Sequence, residues 1–311
     1  MAKKITVQKG EWNDEKNKFR YAQELESGNI LFFEMPPFPF PQEEIDFLLA
    51  QKQGSSGSRK NIAYKPDLDK VTNHDTSDPV VAEKMREVLH NYSKKVTEFL
   101  QVLLSPYAPF WRLDYASFRP FQEKGRALRL RARNDLLHCD AFPTRPLHGA
   151  RILRFFTNIN PLESRKWITS KPFGELAAEF GGEKGVPFPR SVGFSLKDRL
   201  ERKMKTLMCK GFKVPLRSPY DAFMLKMHNF LKENSEFQKN CPKDAWEFPP
   251  NSCWAVYTDL VSHAALSGQY ALEQTLIIPQ KALLFPELAP ISILERLSNR
   301  NLVDPIFTSR S

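Results

Sequence analysis

The chain reads as an α+β protein built on a β-sandwich or jelly-roll core whose two halves lie apart in the sequence. Three observations predict this. Helical periodicity dominates the first hundred residues, apolar alternation with a period near two runs from 112 to 161, and that alternation returns from 246 to 280. The interruption, 162–245, mixes Gly and Pro turns with helical patterns, so it is expected to form an insertion over one mouth of the sandwich. With 311 residues and 41% hydrophobic residues the chain can bury a sizeable core. A single domain is expected, in which 1–111 packs on the two strand blocks and 281–311 is a C-terminal tail.

Taken in order, KITVQ and NILFFE suggest two short strands or a hairpin around a charged turn, and MPPFPFP an extended link. QEEIDFLLAQ is expected to be helical and GSSGSRKN a flexible loop. In VVAEKMREVLHNYSKKVTEFLQVLL the residues Val80, Met85, Val88, Leu89, Val96 and Leu100 recur near the helical repeat, predicting a long amphipathic helix that stops at Ser105-Pro106. RLDYASFRPF, RALRLRARND, LLHCDAF and GARILRFFTNIN then read as consecutive strands. The insertion carries two helical patterns, SLKDRLERKMKTLMCKGF and PYDAFMLKMHNFLKEN, and SCWAVYTDL, VSHAALSG and QYALEQTLIIP restore the strand pattern. No internal repeat is present.

Lys and Arg number 46 against 36 Asp and Glu, a net charge of +10 that favours an anionic partner: nucleic acid, phospholipid, or a phosphorylated or carboxylated substrate. No stretch has the length and apolarity of a membrane span, and MAKKITVQKGEW lacks the apolar centre of a signal peptide. The protein is therefore expected in the cytoplasm, soluble or peripheral to a membrane. Cys139, Cys209, Cys241 and Cys253 are too dispersed for paired metal ligation and are expected to be reduced.

The motif that carries chemistry is His138-Cys139-Asp140, flanked by Leu136, Leu137, Ala141 and Phe142. On a strand, His138 and Asp140 share one face and Cys139 turns away. Burying an unpaired carboxylate there is costly, and a metal ion removes the cost. His263 follows another strand pattern 125 residues later and can supply a third ligand. Two histidines and one carboxylate form the facial triad that holds non-haem Fe(II) with positions left open. H-x-D is a short pattern, and a core histidine beside a capping aspartate is the structural alternative. His74 lies in a polar loop, and His90 and His228 sit on helical patterns as surface or packing residues, whereas His148 in TRPLHGAR is a candidate substrate contact.

Together LLHCDAF, GARILRFFTNINP and WAVYTDLVSHAALSGQYALEQT resemble the Fe(II)- and 2-oxoglutarate-dependent dioxygenases, whose fold is a double-stranded β-helix. With KNIAY and RALRLRARNDLLHCD added, the chain more closely resembles the Kdo hydroxylases, which act on the 3-deoxy-D-manno-oct-2-ulosonic acid (Kdo) of Gram-negative lipopolysaccharide. The resemblance implies His138, Asp140 and His263 as iron ligands. It also implies 2-oxoglutarate as cosubstrate, O2 as oxidant, succinate and CO2 as coproducts, and a hydroxyl placed at C3 of the terminal Kdo of Kdo-lipid A.

Many relatives bind the distal carboxylate of 2-oxoglutarate with a basic residue ten or eleven positions past the second histidine, where this chain has Glu273 and Gln274. A cation must come from elsewhere. On RILRFFTNIN, Arg154, Phe156 and Asn158 share one face and Arg151, Leu153 and Phe155 the other, so Arg154 with Asn158 is the expected cosubstrate contact and Arg151 the alternative. Arg129, Arg131 and Arg133 alternate along their expected strand, as either a solvated face or a face turned to sugar carboxylates and phosphates, and Trp167 could stack on a sugar ring or simply pack. Leu196, Leu200, Met204, Leu207 and Met208 oppose a basic helix face. That pattern suits either a core-facing helix or one resting on the inner membrane of a Gram-negative bacterium. A Kdo-containing glycolipid is the expected partner, no nucleic acid is expected, and the oligomeric state is not legible. A dioxygenase acting on nucleic acid or protein and a non-enzymatic basic β-sandwich module are the competing readings.

Overall fold

In the computed structural model the described residues are 2–51, 61–192, 200, 204, 207–208 and 216–304. β1 (Lys4–Thr6) and β2 (Ile30–Phe33) flank α1 (Glu15–Glu26), and α2 (Gln42–Leu49) leads to β3 (Ile62–Lys65) and β4 (Lys70–Thr72). The long helix α3 (Pro79–Leu103) precedes β5 (Arg112–Arg119), β6 (Arg151–Asn158), β7 (Arg165–Pro172) and α4 (Phe173–Phe180). After these come α5 (Pro219–Glu233), α6 (Ser235–Asn240), β8 (Asp244–Phe248), β9 (Cys253–Tyr257), β10 (Val261–Ser267), β11 (Ala271–Ile278) and α7 (Pro290–Ser298).

One sheet runs β1-β2-β9-β6-β11-β5-β3-β4 and a smaller one β10-β7-β8. LLHCDAF, expected as a strand, makes only a single bridge to the smaller sheet, where His138 and His263 exchange both backbone hydrogen bonds, at 3.1 and 3.0 Å. From β5 onward the chain switches sheets at almost every strand, the winding of a jelly roll. Inside it, Trp254 stacks on Phe248 with ring centres 3.9 Å apart and meets Trp167 edge to face at 5.6 Å. The turn from β10 into β11 needs Gly268: its φ is +120°, and a Cβ there would approach Arg165 Cγ to 2.8 Å.

Helix α3 covers the outer face of the large sheet. Met85, Val88, Leu89, Val96, Leu100 and Leu103 are fully buried along one side, each contributing about 1.5–3 kcal/mol of transfer free energy. Asp78 caps the helix by accepting from Val80 N–H, which leaves Val80 in the first turn, 75% exposed rather than on the apolar stripe.

Four sequence expectations are corrected. The N-terminal strands form no hairpin: they pair in parallel, Lys4 beside Ile30, and parallel strands need a crossover, which α1 supplies by burying Tyr21, Ala22 and Leu25. RALRLRARND forms only a single 3-10 turn, Leu130–Ala132. Leu130 is 45% exposed, so no apolar face exists to hold a strand, and Arg129, Arg131 and Arg133 do not share one. Strand β7 lies inside the expected insertion, where the charged Arg165, Lys166 and Lys171 hid its apolar pattern, so the segment between the strand blocks is only 173–243. Trp167, within the expected insertion, therefore sits on a strand. Of SLKDRLERKMKTLMCKGF, Leu200, Met204, Leu207 and Met208 are helical and exposed, and the other residues lie outside the described ones. No helix among the described residues is long and apolar enough to cross a membrane.

Candidate active site

His138, Asp140 and His263 meet at the seam between the HCD segment and β10. Asp140 is held there by its own N–H, which donates to Thr258 O at 2.8 Å. The rings of His138 and His263 are 4.8 Å apart. His138 Nδ1–H donates to Leu136 O at 2.7 Å and His263 Nδ1–H to Val261 O at 2.9 Å, so each Nε2 carries a free lone pair. Trp167 stacks on the His263 ring at 5.2 Å and fixes its plane.

Asp140 Oδ1 lies 3.5 Å from His138 Nε2, and Oδ2 lies 3.1 Å from Arg154 Nη2. Burial alone would raise the Asp140 pKa, but the Arg154 guanidinium outweighs it and holds the carboxyl well below its usual range. Burial depresses both histidines, so they are neutral at neutral pH. Two free imidazole lone pairs and an ionised carboxylate make a donor set matched to a divalent transition metal.

A third imidazole joins them. His228 on α5 donates from Nδ1 to Cys139 O at 2.9 Å and faces His138 with ring centres 4.8 Å apart. Ligand atoms of His138, Asp140 and His228 all lie within 4.8 Å of one another. The helical position of His228 had marked it as a packing residue; the fold brings it to the centre.

His138, Asp140 and His228 line a cavity of about 670 Å³, and His263 lies behind His138, outside the lining. Among the described residues its walls carry Lys65, Arg119, Arg131, Arg145, Arg154 and Lys232 against two acids, Asp140 and Glu273. Arg154 spans both acids, reaching Glu273 Oε1 at 2.9 Å, and Arg119 holds the other Glu273 oxygen through Nε at 3.1 Å. Among the described residues the Nε–H of Arg154 has no hydrogen-bond partner.

Other expected contacts lie elsewhere. Arg151 is fully buried outside the cavity, bound to Asp259 at 2.9 Å and stacked 4.0 Å over Tyr257. Asn158 spends its amide hydrogens on the carbonyls of Glu163, Phe248 and Pro249, locking the β6–β7 turn. His148 is bound to Asp221 through its backbone N–H at 3.2 Å. Trp167 is buried among Phe156, Trp254 and Phe248, with its ring against His263 and not open to a sugar. Of the three alternating arginines only Arg131 lines the cavity; Arg129 is exposed and Arg133 pairs with Asp135. Sequence reasoning passed over Arg119, Arg145, His228 and Lys232. The available signal was a His and a Lys four apart within the stripe Met224, Met227 and Leu231, where a helix buries its face.

A family model described as 3-deoxy-D-manno-oct-2-ulosonic acid (Kdo) hydroxylase matches residues 8–301. The chain belongs to this family. The Kdo hydroxylase KdoO, a non-haem Fe(II) α-ketoglutarate-dependent dioxygenase, has a similar structure in its apo form, with 33% identity over 96% of this chain and 97% of that one and a TM-score of 0.81. KdoO in complex with α-ketoglutarate and Fe(III) is 33% identical with a TM-score of 0.80, and its complex with succinate and Fe(III) scores 0.81. No curated protein matches the chain. The family and jelly-roll core expected of this Kdo hydroxylase are thus borne out.

Proposed function

We propose that this Kdo hydroxylase uses Fe(II), O2 and 2-oxoglutarate to place a hydroxyl at C3 of the terminal Kdo of Kdo-lipid A, releasing succinate and CO2. The observation that carries the reading is that His138 and Asp140 open into a cationic cavity with the His263 ring 4.8 Å from that of His138, in a chain of this family. Those three side chains would hold the iron. Held there with 2-oxoglutarate, iron would supply the oxidising chemistry for hydroxylation at C3.

The chain's own residues do the positioning. Arg154 steadies the Asp140 oxygen that faces away from His138, and its unpartnered Nε–H is the donor we assign to a carboxylate of 2-oxoglutarate. Trp167 keeps the His263 ring in plane. The surplus of cations over acids in the cavity wall attracts an anionic sugar, and Arg131 at the rim is retained as a substrate contact. Exposed Leu200, Met204, Leu207 and Met208, set among lysines and arginines in sequence, fit peripheral attachment to the cytoplasmic face of the inner membrane, where a lipid substrate would be met.

The test is mass spectrometry of Kdo-lipid A after incubation with protein, Fe(II), 2-oxoglutarate and O2. Gain of one oxygen on the outer Kdo, absent with His138→Ala, is the expected result. An unmodified lipid alongside consumed 2-oxoglutarate would refute the substrate.

A further inference from the structure

Every arginine lining the cavity has an acid partner: Arg119 and Arg154 share Glu273, Arg131 meets Glu233, and Arg145 meets Asp114 at 2.9 Å. Lys232 does not. It is only 4% exposed and lines the same cavity, yet among the described residues its single hydrogen bond is to Arg131 O at 3.0 Å, and no carboxylate lies within ion-pair distance. An ammonium has three donors, so two remain unpartnered. A buried, unpaired charge persists at a cost that a bound anion removes. One helical turn away on α5, His228 presents an Nε2 lone pair, because its Nδ1–H is committed to Cys139 O.

We propose that Lys232 and His228 form the subsite that grips the acidic sugar, Lys232 donating to its carboxylate and His228 accepting from a neighbouring hydroxyl. This rests on the Kdo hydroxylation proposed above and identifies how that substrate is held. In an oct-2-ulosonic acid the carboxyl carbon is C1 and the deoxy carbon is C3, so a grip on the acid group fixes C3 two bonds away. His228 lies against His138, which brings that carbon beside the metal position. The 2-oxoglutarate carboxylate, by contrast, is left to Arg154 on the sheet wall.

Binding of free Kdo and of Kdo methyl ester to the metal-free protein, measured by calorimetry, reads the subsite without turnover. Wild type is expected to prefer the acid by about tenfold or more, the scale of one charge-assisted hydrogen bond. Lys232→Met should lose that preference, and Lys232→Arg should restore part of it. In turnover assays Lys232→Met should raise KM for Kdo-lipid A by a similar factor and leave KM for 2-oxoglutarate unchanged. His228→Ala should weaken Kdo binding while Co(II) affinity is retained.

Retained acid preference in Lys232→Met, or a rise in the 2-oxoglutarate KM instead, overturns the assignment of Lys232. Collapse of Co(II) affinity in His228→Ala overturns its place in the sugar subsite and makes it a ligand. A wild type that binds Kdo in preference to its ester but never oxygenates Kdo-lipid A sinks the hydroxylation reading and leaves the subsite standing.

Discussion

Asp259→Ala tests the frame that presents the proposed metal ligands. Asp259 lies between β9 and β10, four residues before His263, and its neighbour Thr258 accepts the Asp140 N–H. Its carboxylate takes two hydrogen bonds from Arg151, from Nε at 2.9 Å and Nη2 at 3.3 Å, and both residues are buried. Removing one member strands a buried guanidinium, at about 3–5 kcal/mol. An unfolding entropy of about 2.1 cal/mol/K per residue converts each kcal/mol into roughly 1.5 °C for a chain of this length, so Tm should fall by about 5–8 °C. Circular dichroism melts and urea titrations measure this directly. The double variant Arg151→Met with Asp259→Leu should recover most of the loss, since an apolar pair of similar volume replaces the ion pair without stranding a charge. Asp259→Ala melting within about 1 °C of wild type would refute the buried-pair reasoning. A large rise in the 2-oxoglutarate KM of the folded double variant would refute the placement of Arg151 outside the cavity.

Further outcomes follow from the same geometry. Asp140→Ala should abolish Fe(II) binding and turnover with the fold intact, because Arg154 keeps Glu273 as a partner; iron analysis beside a thermal melt checks both halves. Arg154→Ala should raise the 2-oxoglutarate KM by about tenfold or more, and an unchanged KM would move the role to Arg119. The Lys232 pKa is drawn from 10.5 down to about 8 by burial, partly offset by Asp140 and Asp135. The unfolded chain therefore holds this proton more tightly, and the charged lysine destabilises the unliganded fold by up to about 3 kcal/mol below pH 8. Lys232→Met should raise Tm at pH 7, with the gain shrinking as pH climbs from about 8 toward 10.5. A lower Tm for that variant at pH 7 would show the ammonium to be paired in solution.

Much of the site was legible because side-chain alternation is a local property. His138 and Asp140 fall on one side of an extended segment wherever that segment lies, and an apolar setting around a carboxylate signals a compensating cation. The Arg154 face was likewise readable from the period of β6, whereas Asn158 on that same face was lost to the backbone carbonyls of a turn. RALRLRARND shows where alternation misleads: charged and apolar residues alternate, but no neighbouring strand accepts the ladder and no core accepts the leucines.

By itself the sequence determined the long helix and most extended segments of the core, the three side chains proposed as metal ligands, and a surplus of positive charge seeking an anion. Only the tertiary structure decided that β1 and β2 run in parallel, that β7 belongs to the jelly roll, that Arg151 serves the frame, and that His228 and Lys232 join the cavity. The physical reason is range. Periodicity and capping act over a few residues, but the partner of a buried charge comes from 108 residues away for Arg151 and the backbone contact of His228 from 89, and such pairs are selected by sheet topology and packing.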